Sequence, residues 1–411
     1  MTQRTYDASG RGMTQDYRAP FPATLIRYTE DEIEAVVGVM RNAEAMTQGK
    51  YLRKFEADFS RYIGSAHSFA VANCTNALAL AATLCRIGPG DEVIIPAYTF
   101  MASAIPFAHT GAKIVWADID PDTRVVSAET IAEKITARTK VFVVVHLLGM
   151  PVDMDPIMEL AKKQGCLVVA DCAQALGAEY KGSKVGSIAD FGCFSFHAAK
   201  NMTTLGEGGM LTVKSDEYAG LVPGLRHNGS RPYPGTRKRY WVPAMSNVDL
   251  DIKGVWPYNF CIGEAQCALG SKLLQRLDTI NDVLIKQAMR LKKELAICPE
   301  LTFQEVPPGH KHIYHVVVAR FDGTRMDKTR ENLMDIMAFK YKIRVIVQYY
   351  PLYRYPLFQK MGFGEANCPN LEAYWDNSFS FPWWMGMPDE TLDYIIEATK
   401  KTLDRLRSER E

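Results

Sequence analysis

The sequence predicts an α/β fold, with a mostly parallel sheet covered by helices on both faces and a smaller α+β unit after it. Three observations point there. Short apolar runs rich in Val, Ile and Phe alternate with stretches of helical spacing between residues 68 and 213, as expected of strands buried on both faces. Gly and Pro punctuate the joints, as in Gly88-Pro89-Gly90, which keeps neighbouring elements short. From about Ile297 the alternation gives way to two apolar runs around a helical stretch and a long closing helix.

Taken in order, the first twenty residues are polar and without periodicity, a loose arm. "TEDEIEAVVGVMRNAEA" has helical spacing and opens on Thr29 followed by acidic residues, a helix-start signal. "LRKFEADFSRYIG" repeats the spacing and stops at Gly64, a residue suited to a helix end. "SFAVAN" then predicts a strand, "TNALALAATLCRI" a helix and "GPGDEVIIP" a turn feeding a buried strand. Further strands are predicted at "AKIVWADID", "KVFVVVHLL", "CLVVAD", "FGCFSF" and "GGMLTV". Helices are predicted at residues 100–109, "SAETIAEKI", "MDPIMELAKKQG" and the stretch from Gly263 to Leu295. In the last part, "HIYHVVVARF" and "KIRVIVQYY" predict strands, with "DKTRENLMDIMAF" and "DETLDYIIEATKKTLDRLRS" as helices. The chain thus divides into an arm (1–28), a large α/β domain (29–270) and a linking helix with a small α+β domain (271–411). The irregular part, Arg226 to Tyr258, is rich in Gly, Pro, Arg and Trp and long enough to suggest a functional loop.

Composition narrows the function. With 48 Lys and Arg against 47 Asp and Glu, the chain lacks the basic excess of a nucleic-acid surface. No apolar stretch approaches the roughly 20 residues of a membrane helix, and the N-terminus lacks the features of a signal peptide. The nine cysteines form no CxxC pair and no metal-ligand spacing, which predicts buried thiols in a reducing cytoplasm and no metal site.

Four stretches carry chemistry. In "VVADCAQALG" a strand ends at Asp171, and ligands of open α/β sheets bind beyond such carboxyl ends. The carboxylate there either caps a helix or holds a protonated heteroaromatic nitrogen. In "FSFHAAK" Ser195 and Lys200 follow another strand. Lys200 is either a solvated cation or an amine able to form a Schiff base, which burial makes more available. No Walker lysine motif or Rossmann glycine fingerprint is present. In "ANCTNALALAATL" a strand meets a helix start at Cys74 and Thr75. Thr75 is either a plain N-cap or part of a phosphate seat made of free amides. Phe100, after "IIPAYT", either packs in the core or lays its ring against a planar ligand.

In their joint order these pieces resemble the DegT/DnrJ/EryC1/StrS family of sugar and cyclitol aminotransferases, which are fold-type I pyridoxal phosphate enzymes. "GPGDEVIIPAYTF", "VVADCAQALGA", "FSFHAAKN", "GEGGM" and "IGEAQCALG" carry the resemblance, which runs from about Thr29 to the C-terminus. It implies a seven-stranded sheet and pyridoxal 5'-phosphate as cofactor, with pyridoxamine phosphate formed between two half-reactions. Lys200 would be the Schiff-base lysine and proton carrier, and Asp171 would hold the pyridine nitrogen protonated. Gln174 would lie near the phenolic oxygen and Phe100 on the ring, with Cys74, Thr75 and Ser195 at the phosphate. Asn73-Cys74-Thr75 stands where the family usually has Ser-Gly-Thr.

The resemblance also implies a homodimer in which Asn259 reaches the other subunit's phosphate, and glutamate or glutamine as amino donor. His197 either faces the substrate or is a hydrogen-bonded core histidine. Gln348 and Tyr353 stand where nucleotide-sugar relatives carry histidines. With Tyr349, Tyr350 and Trp383 as an aromatic wall, that change suits a keto-cyclitol, while family frequency favours a nucleotide-linked keto-sugar. Gln348 and Tyr350 are the expected substrate residues. The alternatives are a pyridoxamine-dependent sugar dehydratase, an aromatising dehydratase, and a non-catalytic regulatory protein. The first replaces the lysine with histidine, and the last predicts a lost Lys200 or Asp171.

Overall fold

A computed structural model describes residues 17–21, 26–233 and 239–408. Most of the expected arm, part of the irregular segment and the last three residues lie outside them. Helices α1 (Glu30–Asn42) and α2 (Lys50–Ile63) come first, the second ending on Gly64 in the left-handed conformation, which glycine adopts without a Cβ penalty. Glu264 caps α2 at its start, accepting hydrogen bonds from the amides of Gly49, Tyr51 and Leu52.

Strands β1 (His67–Val71), β2 (Glu92–Pro96), β3 (Lys113–Ala117), β4 (Thr139–Val145) and β5 (Leu167–Asp171) follow, interleaved with helices. The helices are α3 (Cys74–Leu84), α4 (Ile105–Ala108), α5 (Ala128–Ala132) and α6 (Met154–Gln164). Two short strands, β6 (Glu179–Tyr180) and β7 (Ser183–Lys184), precede β8 (Phe191–Ser195) and β9 (Gly209–Val213). The main sheet has seven strands in the order β1-β9-β8-β5-β4-β2-β3. Only β9 runs against its neighbours, so the carboxyl ends of β1, β2, β4, β5 and β8 share one edge. Every residue of β2, β8 and β9 is buried, which accounts for their unbroken apolar runs.

After β9 come α7 (Asp216–Arg226), α8 (Glu264–Leu274) and α9 (Leu277–Leu295). The expected helix from Gly263 to Leu295 is therefore two helices, broken at Gln275 and Arg276. Strands β10 (Leu301–Phe303), β12 (Val318–Phe321) and β13 (Ser378–Ser380) form a second sheet, while β11 (His310–Lys311) pairs with β6. The last helices are α10 (Arg330–Asp335), α11 (Pro356–Lys360), α12 (Pro369–Trp375) and α13 (Asp389–Ser408). Among the described residues no helix is long and apolar enough to cross a membrane.

Several expectations are corrected. "KIRVIVQYY" is not a strand: Ile343 bridges Ala19 while Ile346 bridges Ser380, so successive residues find different neighbours and no ladder forms. Only the end of "HIYHVVVARF" is a strand, because Ile313 and Val316 donate instead to the carbonyls of Gly149 and Leu148. Residues 100–109 make a 3₁₀ turn and a single α turn rather than one helix. The described part of the arm is not loose. Ala19 is fully buried, its amide donates to Lys342 and its carbonyl accepts from Arg344.

Candidate active site

The carboxyl edge of the sheet and the segments facing it enclose a cavity of about 430 Å³. Asp171 reaches it because β5 ends there. One carboxylate oxygen accepts from Ser103 Oγ at 2.6 Å and the other from the Ala173 amide at 3.0 Å. Ser103 is held in turn by Thr99 Oγ1 at 2.8 Å. Burial raises the Asp171 pKa above 3.8, opposed by the Ser103 hydroxyl, the Ala173 amide and the charge of Lys200.

Lys200 sits on the strap between β8 and β9, residues 196–208. The strap is closed by backbone bonds from Phe196 to Gly208 (2.8 Å) and from Ala198 to Gly206 (2.9 Å). The residue lines the cavity and is half-buried, and burial lowers the pKa of its amine below 10.5, against the pull of Asp171 and Cys74. A lowered amine and a buried carboxylate therefore face one space. Desolvation dominates both shifts, the usual condition for a nucleophilic amine.

The start of α3 supplies the third wall. Asn73, not Thr75, is the N-cap, its Oδ1 accepting from the Asn76 amide at 2.9 Å. The amides of Cys74 and Thr75 have no partner among the described residues, and both residues line the cavity. Free amides at a helix start attract an anion. The Cys74 thiol itself is kept neutral by burial. Gly209 makes the approach possible: a Cβ there would stand 2.4 Å from the Asn73 carbonyl carbon.

Phe100 also lines the cavity, 48% exposed, its ring edge-on to Tyr349 at 5.9 Å. An exposed ring on a cavity wall leaves a face for a flat ligand. Gln174 accepts from the Leu148 amide at 2.8 Å and donates to Tyr349 Oη at 3.0 Å. Burial pushes the Tyr349 phenol up to about 12. Ser195, His197 and Gln348 complete the expected set on the wall. His197 is exposed, not a core histidine, with Nδ1 accepting from Ala199 and Nε2 standing 4.0 Å from Glu207.

Two expected residues are placed elsewhere. Tyr350 packs edge-on against Tyr355 and Trp375, so its ring is not part of the wall, although Tyr349 and Trp383 are. Asn259 is exposed and bridges His227 through the backbone, away from this chain's own cavity. Conversely, sequence reasoning passes over Ser103, His315 and Phe21, all of which bear on the site. Thr99 and Ser103, four apart just after β2, are a legible hydroxyl pair, and His315 is a lone imidazole in an apolar run. Phe21 carries no signal.

A free-amide anion seat, an open ring, a buried carboxylate and a desolvated amine fit a phosphorylated, aldehyde-bearing pyridine such as pyridoxal phosphate. The comparisons with known proteins agree. The sequence model of the DegT/DnrJ/EryC1/StrS aminotransferase family matches residues 27–400. The spore coat polysaccharide biosynthesis protein SpsC of Bacillus subtilis is 33% identical over 390 residues, covering 94% of this chain and 98% of SpsC. A UDP-N-acetyl-3-dehydro-alpha-D-glucosamine 3-aminotransferase of Acidithiobacillus ferrooxidans is 32% identical over 396 residues, covering 95% of this chain and all of that protein. A Streptococcus pneumoniae protein described as a candidate sugar aminotransferase, solved in PMP and PLP forms, superposes with TM-scores of 0.84 and 0.82 at 28% identity. Both forms cover 94% of this chain, and 100% and 99% of theirs.

Proposed function

Since the chain belongs to the DegT/DnrJ/EryC1/StrS family and so is a pyridoxal phosphate-dependent aminotransferase, we propose that it moves an amino group from glutamate or glutamine to the ketone of a sugar or cyclitol, nucleotide-linked sugars foremost. The observation that carries this reading is the pairing of Lys200 and Asp171 across one cavity, each desolvated in the sense the chemistry needs. The cofactor, when bound, supplies an electron sink next to the reacting amine. The residues of this chain do the rest. The Cys74 and Thr75 amides, with Ser195, would hold the phosphate, and Phe100 would cover one face of the ring. Asp171 would keep the ring nitrogen protonated, and Gln174 would donate beside the phenolic oxygen.

Lys200 would hold the cofactor through its amine, and that amine, when free, would carry a proton as base and acid in turn. Gln348 and Tyr349 face the acceptor, with His197 at the mouth. The acceptor class rests on an aromatic and amide wall, which suits the C–H face and the hydroxyls of a polyol ring. We assign Asn259 to the active site of a second copy of the chain. Exposed Tyr240 (98%) and Trp256 (86%) in the irregular segment just before it support a covering subunit there, because aromatic side chains concentrate at interfaces.

The test is an absorbance titration of the purified protein with pyridoxal phosphate and then glutamate. The expected result is a cofactor band that glutamate converts to the pyridoxamine form, with one 2-oxoglutarate released per site. Lys200→Ala should give no conversion. Cofactor binding without conversion by glutamate, glutamine or other amino acids would turn the reading toward a dehydratase.

A further inference from the structure

His315 takes no part in the assignments above, yet its surroundings define its chemistry. It is 6% exposed and lines the main cavity. Its Nδ1 lies 3.1 Å from Asn201 Oδ1, and Asn201 Nδ2 donates to Asn281 Oδ1 at 2.9 Å. Asn281 Nδ2 donates to the Leu176 carbonyl at 3.0 Å. A backbone carbonyl only accepts, so the Asn281 nitrogen must face Leu176 and its oxygen must face Asn201. Asn201 then presents nitrogen to Asn281 and oxygen to His315. An amide oxygen only accepts, so His315 carries its proton on Nδ1. One main-chain carbonyl thus determines a tautomer through two buried amides.

The loop holding the imidazole is fixed as well. Ile313 and Val316 donate to Gly149 and Leu148, and Gly149 has φ +97, with a would-be Cβ 2.9 Å from the His315 amide. Asn201 directly follows Lys200. Lys200 and His315 also share a second, smaller cavity of about 10 Å³, bounded by Ser195 and Gln174 among others. That is room for one water with several polar partners.

We propose that His315 is a positioning residue for Lys200: held as the neutral Nδ1–H imidazole, it offers a bare Nε2 that accepts, through one water, a hydrogen bond from the Lys200 amine whenever that amine is free. The proposal rests on Lys200 being the lysine that is bonded and released during turnover. Release would otherwise leave a long, flexible amine without a partner in the buried site. Burial lowers the His315 pKa well below 6.5 and the Lys200 charge adds to the effect, so the acceptor persists at neutral pH.

Two measurements on the full-length chain, freed of cofactor, test this apart from transamination. With 15N-labelled histidine, nitrogen NMR should show His315 with a protonated Nδ1 and a bare Nε2 at every pH from 6 to 8.5. An Nε2–H tautomer or an imidazolium at pH 7 would overturn the proposal. Acetic anhydride labelling of Lys200 against pH, read by mass spectrometry, tests the consequence. Removing an acceptor disfavours the ammonium, so His315→Leu should label about ten-fold faster at pH 7.5. His315→Gln, which keeps an acceptor, should return to the wild-type profile. An unchanged profile in His315→Leu, or a change that His315→Gln does not reverse, overturns it. A chain that meets both tests but is converted by neither glutamate, glutamine nor another amino acid would refute the proposed function alone.

Discussion

At the scale of single residues, Asp171 is a buried carboxylate on which opposing influences act. Burial raises its proton affinity, while Ser103 and the Ala173 amide pull it back. Ser103→Ala therefore removes a bond that lowers the pKa, and the acid limb of the kcat/KM profile should move to higher pH. Turnover at neutral pH should fall about ten-fold, in line with losing a hydrogen bond to a charged group. Asp171→Ala should cost far more, about 10²-fold or beyond, as when a fixed stabilising charge is deleted. Identical acid limbs in wild type and Ser103→Ala would sink the argument. Lys200 and Asp171 are legible in the sequence because each ends or follows a strand within a distinctive local word. His315 is not, since its chemistry depends on Asn201, which is 114 positions away.

At the scale of elements, the site depends on how closely β9 approaches the turn before α3. Gly209 pairs with Val71 on one side and Ser195 on the other, so the residues flanking the anion seat are held by one strand end. Gly209→Ala would drive a Cβ into the Asn73 carbonyl. Relief of such overpacking costs about 1–3 kcal/mol, and the expected outcome is cofactor affinity weakened by about ten-fold or more. Fluorescence or absorbance titration of the variant would read it, and wild-type affinity would show that the seat does not rely on this contact. The main-sheet strands are readable because their runs are apolar throughout and flanked by turns. The segment 342–350 misleads for a physical reason: Ile343 bridges Ala19 and Ile346 bridges Ser380, and a local window contains neither partner.

At the scale of the whole molecule, buried neutral histidines set the response to acid. Burial lowers His146 and His312 from 6.5 to about 3. Between these values the unfolded chain takes up a proton that the folded chain refuses, so stability falls as pH drops from 6.5 toward 3. Each such group contributes a slope of about 1.4 kcal/mol per pH unit well inside that window. Asp171, with its raised pKa, acts in the opposite sense above pH 3.8. The urea midpoint should fall between pH 7 and pH 5, and less steeply in His312→Gln. An equal slope in both proteins would remove His312 from the account. One last consequence follows from the lining of the main cavity, which runs from Phe21 to Trp383. A ribosome that has delivered Asp171 and Lys200 has made the reactive pair but not the room it works in, because His315, Tyr349 and Trp383 are still to come. Contacts so distant along the chain form late, so the residues assigned to the cofactor are all synthesised before the wall that faces the acceptor can close over them.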